Sequence, residues 1–173
     1  MKRILIMITM FAIVATSVFT LNDKTIGRIE GNDGKYIKVY INEKSNIYLE
    51  TDTRRTFHLS DGSLIRFIKL VKLNLELVEV GKSSELKYRR DSGQLWAAVP
   101  SNMFVQFEYY CSAEGSSTIS LIITDLIGEE RLTFKSDQIE KLLSLINDGL
   151  NEKKGIISQI DKFNVIVAKA QTY

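Results

Sequence analysis

The sequence predicts an α+β fold: an antiparallel β-sheet made of two hairpin or meander units, packed on one or two helices, after an N-terminal signal or anchor segment. Three observations predict it. Residues 103–134 alternate apolar and polar through three short runs separated by polar turns, residues 137–150 switch to a helical period, and residues 4–15 are apolar behind a short basic start.

From the N-terminus, Lys2 and Arg3 precede an uncharged run that ends in Thr16, Ser17 and Thr20, the layout of a secretory signal over residues 1–20. Extended to Leu21, the run is about long enough for a bilayer core, so residues 4–21 also suit an uncleaved anchor. The basic start predicts a translocated body in either case. No cysteine follows the run, which excludes a bacterial lipoprotein anchor.

Residues 21–35, with Gly27, Gly31 and Asn32-Asp33-Gly34, read as a linker ending in a tight turn, and residues 36–173 as a single α+β domain. Ile37, Val39 and Ile41 alternate with Tyr36, Lys38 and Tyr40. After a polar turn, Ile47 and Leu49 continue the inward set beside Tyr48 and Glu50, which makes a hairpin. Residues 56–59 add a short strand. Over residues 64–80 a helix places Leu64, Phe67, Ile68, Leu70, Val71, Leu75, Leu77 and Val78 on one half. Asn74 is then misplaced among them, and Ile65, Leu73 and Val80 stand on the polar side. The second half also alternates as a strand, but length and the Leu-rich run favour the helix. A turn at 81–84, a polar strand or loop at 85–90 and a short strand at 94–99 around Trp96 follow, ending at Pro100.

In the meander, Met103, Val105, Phe107, Tyr109 and Cys111 form the core side, continued by Ile119, Leu121 and Ile123 and then Leu132 and Phe134. Asp137 with Glu140 marks a helix start, and Ile139, Leu142, Leu143, Ile146 and Leu150 make its apolar stripe, which the odd face of this meander is expected to cover. Lys153, Lys154 and Gly155 read as its end, with residues 163–168 as a further strand. The sequence contains no internal repeat.

Charge and composition exclude several functions. Without Lys2 and Arg3 the chain has 21 basic and 21 acidic residues, which argues against nucleic acid as a partner. One cysteine and one histidine cannot build a zinc site, and Glu30 and Asp33 lack a calcium loop's ligand spacing, so no metal and no cofactor is expected. Gly81-Lys82-Ser83 resembles the end of a P-loop, but Glu76 stands where the first glycine belongs. Cys111 and His58 are the one thiol–imidazole pair and the only catalytic candidates; Cys111 on the core side argues against them. Glu129 and Glu130 read as solvated turn carboxylates.

The most suggestive feature is the outward side of the strands, where Tyr36, Lys38, Tyr40, Tyr48, Phe104, Gln106, Glu108, Tyr110 and Arg131 combine aromatic and polar groups. The expectation is an exported (periplasmic, envelope or secreted) non-enzymatic binding module that meets a protein or glycan partner through this face. Its alternative is a structural or assembly subunit held by the N-terminal segment, with homo-oligomers through an exposed edge; a cysteine hydrolase ranks last. Membrane contact is expected only through residues 4–21, if they are retained.

Overall fold

The computed structural model describes residues 23–42, 44–82 and 87–170, with side chains as far as residue 158. The signal or anchor expected over residues 1–20 lies outside them, as does the second half of the turn expected at 81–84. Among the described residues the chain runs twice through the same unit, a four-stranded antiparallel meander and then a helix. The first unit comprises β1 (Lys24–Glu30), β2 (Tyr36–Ile41), β3 (Ile47–Thr51), β4 (Thr56–His58) and α1 (Asp61–Gly81). The second comprises β5 (Tyr88–Trp96), β6 (Phe104–Cys111), β7 (Ser117–Asp125), β8 (Gly128–Phe134) and α2 (Ser136–Ala170). The architecture repeats although the sequence does not.

Alternation does what it predicts in the strands. Ile37, Val39, Ile41, Ile47, Leu49 and Phe57 are buried from the first sheet, and Val105, Phe107, Ile119, Leu121, Ile123, Leu132 and Phe134 from the second, all in one continuous core. Residues 64–80 are helical. Ser60 caps α1 by accepting the Ser63 N–H at 3.3 Å, and Leu64, Phe67, Val71 and Val78 are buried, whereas Ile65, Leu73 and Val80 are exposed. Asn74 is fully buried, but its amide is satisfied: Nδ2 donates to the Leu70 carbonyl and Oδ1 accepts from Ser92 Oγ, each at 2.8 Å.

The helices are exchanged between the sheets. α1 follows the first sheet but lies on the second, where Phe67 meets Phe107 edge to face with centroids 5.1 Å apart. α2 follows the second sheet but lies mainly on the first, with Leu145 over Gly27 and Gly149 against Ile47. The expectation that α2 covers its own meander is therefore corrected. Its first turn shows why, because Gln138 accepts the Lys135 N–H at 2.7 Å and donates to the Glu30 carbonyl at 2.8 Å, which aims the helix at β1. The side chain that reaches back at this start is thus Gln138, not Glu140.

Three further expectations change. Residues 24–30, read as linker, are strand β1, whose pairing shifts register between Thr25 and Gly27 and so breaks the alternation. α2 does not stop at Gly155; one glycine costs a nucleated helix only about 1 kcal/mol. Residues 163–168, read as strand, continue that helix.

The sheets also meet directly. Asn32 in the β1–β2 turn donates to the Thr133 carbonyl at 2.7 Å, and Arg55, after β3, donates to the Ile123 carbonyl at 3.1 Å. At the other edge His58 pairs with Val99, His58 N–H donating to the Val99 carbonyl and Ala98 N–H to the His58 carbonyl, both at 2.8 Å.

Two glycines separate packing from helix propensity. A Cβ on Gly81 would lie 1.9 Å from the Tyr109 hydroxyl and 2.9 Å from Ser117 Oγ, whereas one on Gly155 would meet nothing within 4 Å. Gly81→Ala is expected to lower stability by roughly 1–3 kcal/mol through overpacking. Gly155→Ala is expected to raise it by about 0.5–1 kcal/mol. Thermal or urea unfolding of the two variants, read by circular dichroism, checks both signs.

Candidate binding surface

The outward residues singled out by the sequence fall on two different sheets. Tyr36, Lys38, Tyr40 and Tyr48 lie on the first, and Phe104, Gln106, Glu108, Tyr110 and Arg131 on the second, all half-buried. Among the described residues, a bridge between the two sheets lies where His58 on β4 pairs with Val99, three residues beyond Trp96.

On the first sheet, register makes an aromatic row. Tyr40 is opposite Tyr48 and Tyr48 opposite His58, so the three rings stand side by side across β2, β3 and β4. Tyr40 and Tyr48 have centroids 5.3 Å apart and planes 14° from parallel, and Tyr48 and His58 have centroids 5.2 Å apart. Cations take further ring faces: Lys38 Nζ lies 5.1 Å from the Tyr40 centroid, and the Arg28 guanidinium 4.7 Å from that of Tyr36. Tyr48 is flanked on both sides, so the row presents ring edges and polar tips. Burial, aided by the charges of Asp23 and Glu50, pushes the Tyr40 hydroxyl up, and burial with the charge of Lys153 pushes His58 down. Both groups are therefore neutral at neutral pH.

The centre of the second sheet is occupied by charge. Glu108 on β6 accepts from Arg131, which reaches across β7 from β8, and pairs with Arg89 on β5 at 2.8 Å. Arg131 also lies 3.9 Å from Glu129. Ile122, on β7 between Gln106 and Arg131 in register, is buried on this outward face. Arg131 thus belongs to a cross-strand ion-pair row. Tyr110 is opposite Arg89 at the end of that row, and Phe104 stands apart from it, 5.3 Å from Trp96.

Cys111 and His58 are not brought together. Cys111 is buried under the C-terminal end of α1, its thiol 3.4 Å from the Gly81 carbonyl, while His58 sits just before the N-terminal end of that helix. The 21 residues of α1 put roughly 30 Å between the two ends. Among the described residues no group of three or more His, Cys, Asp or Glu side chains is placed to hold a metal ion.

Glu130, read as a solvated turn carboxylate, is buried at the junction of the two sheets. Its Oε2 accepts the hydroxyls of Thr51 at 2.9 Å and Thr53 at 2.6 Å, and Arg55 approaches at 3.9 Å. Sequence reasoning also passed over Trp96, Val99, Leu126 and Ile127, which are 57%, 54%, 87% and 89% exposed. One signal was there to read: Leu126-Ile127 fills a two-residue hairpin loop, where Asn-Gly or Asp-Gly is the usual chemistry.

Comparison of the chain with family models, with curated proteins and with solved structures gave no match.

The ion-pair row makes a pH-dependent contribution of known sign. Burial raises the Glu108 carboxyl, but hydrogen bonds from Arg89 and Arg131 outweigh it and hold the group below the ordinary glutamate range. A depressed carboxylate stabilises the fold above its unfolded pKa and loses that contribution as pH falls through the folded value. Glu108→Gln is expected to cost on the order of 1 kcal/mol at neutral pH. The gap to the parent chain should close as pH falls below about 4. Urea unfolding of both chains across that range is the check.

Proposed function

We propose that the chain is an exported, non-enzymatic binding module that holds a protein partner against the outward face of its first sheet, along Tyr40, Tyr48, His58 and Val99. The observation that carries this reading is the row itself, three rings in cross-strand register continued by the exposed Val99. A glycan would stack on open ring faces, but the faces along this row are turned to neighbouring rings and to Lys38. Ring edges, hydroxyls and a neutral imidazole instead suit a polypeptide surface, where tyrosine is a common anchor. Export rests on the signal-like residues 1–20.

A photo-crosslinker placed at position 48 of the natively expressed chain tests the reading. It is expected to trap one discrete protein adduct, absent when the crosslinker replaces the exposed Ile65 on α1 and reduced about tenfold by Tyr40→Ser, a loss equivalent to about 1.4 kcal/mol. Equal trapping at positions 48 and 65, or capture of the chain by a glycan array instead of a protein, would contradict it.

A further inference from the structure

A second surface, at the far end of the second sheet, is apolar without any structural need to be. β7 and β8 are joined through Asp125 and Gly128, leaving Leu126 and Ile127 as a two-residue loop. The flanks meet the geometric demands of this turn: Asp125 Oδ1 accepts the N–H groups of Ile127 at 2.8 Å and Gly128 at 3.1 Å, and Gly128 takes the positive φ of 138°. Leu126 and Ile127 are the most exposed large apolar residues among those described. Directly behind the turn, one cross-strand row carries Trp96, Phe104 and Thr124, and Val99 lies in the β5–β6 connection at the same end.

Beside this tip is a cleft of about 730 Å³ whose walls include Ile127 and the cations Lys35, Arg54, Arg55 and Arg131. Its acidic groups are engaged: Asp125 and Glu130 face Arg55 at 3.3 and 3.9 Å, and Glu129 faces Arg131 at 3.9 Å. Arg54 is exposed and has no ion-pair partner among the described residues, whereas Lys35 donates to the Arg131 carbonyl at 2.7 Å and lies 3.9 Å from Asp33. The four cations are matched in number by Asp33, Asp125, Glu129 and Glu130, and Arg54 is left as the unpaired charge beside the tip.

We infer that the Leu126–Ile127 turn enters the interfacial region of a lipid bilayer, with Arg54 at the level of the phosphates. A bilayer fits better than a protein or a second copy. The turn is a two-residue loop, too small by itself for the roughly 800 Å² per partner of a stable protein interface, and lipid needs no matching pocket. Apolar tip, tryptophan behind it and the unpaired Arg54 beside it follow the order of hydrocarbon, interface and headgroup. The inference rests on Leu126, Ile127 and Trp96 and not on the rings of the first sheet; Val99 borders both surfaces.

Trp96 is the chain's single tryptophan and half-exposed, so it reports on this end alone. The full chain is mixed with vesicles of phosphatidylcholine and phosphatidylglycerol, with and without brominated acyl chains. Trp96 emission is expected to shift to the blue and to be quenched by the bromolipid. The paired substitution Leu126→Ser and Ile127→Ser should lower the lipid dependence of quenching at least about tenfold. Ile65→Ser, exposed on α1, should leave it unchanged. Because residues 4–21 could hold any variant to the vesicle, position-specific quenching decides, not sedimentation. An unquenched Trp96 in the parent chain, quenching unaffected by the paired substitution, or an equal blue shift on concentrating the chain without lipid, which assigns the turn to a second copy, would each overturn the inference.

Discussion

Each sheet of this protein is closed by the helix that belongs to the other. α1 leaves the first meander and lays Phe67 on Phe107 of the second, and α2 leaves the second and lays Leu145 on Gly27 of the first. The inward residues of both sheets consequently share one core, and neither meander has a complete apolar cover without the distant half of the chain. Close approach is part of this arrangement. Gly27 and Gly81 stand where a Cβ would crowd the Leu145 side chain or the Tyr109 hydroxyl, so their absence lets those side chains lie close to the backbone.

The same exchange decides which surfaces of the two sheets stay uncovered. With both inward faces closed by helices, what is left is the outward faces and their ends. The middle of the second sheet is taken by the Arg89, Glu108 and Arg131 row, a set of charges that satisfy one another above Ile122. The first sheet instead bears the row from Tyr40 to Val99, and the end of the second bears Trp96, Leu126 and Ile127. Polar pairing closes one region, and unmatched apolar area marks the others. The junction of the sheets is held by a different chemistry, Thr51, Thr53 and Arg55 around the buried Glu130.

Much of this was legible residue by residue. Ile37, Val39 and Ile41, or Val105, Phe107 and Tyr109, alternate because their strands have one buried face, and the three apolar residues misplaced on α1 are the ones found exposed. Asn74 looked like an error because Ser92, the partner of its Oδ1, is known only once α1 meets β5. β1 was hidden because its register shift beside Gly27 breaks the period, and its partner strand, not its own pattern, holds it extended. The helix exchange was illegible for a deeper reason: an apolar stripe specifies that it will be covered, not by which sheet. The expected site suffered likewise. Tyr40 and Tyr48 could be put on one face, but Arg131 could not be recognised as paired to Glu108 before β6, β7 and β8 were laid side by side.

The exchange is tested most directly by native-state hydrogen exchange on the full chain carrying Phe67→Ala. That side chain is fully buried, and its removal should cost roughly 3–5 kcal/mol. If the two halves share one core, the slowest amides of β2 and β6 will lose protection by the same amount, because both open only when the whole domain opens. Loss confined to β5–β8, with β2 and β3 still protected at the parent level, would show two separate folding units and contradict the account.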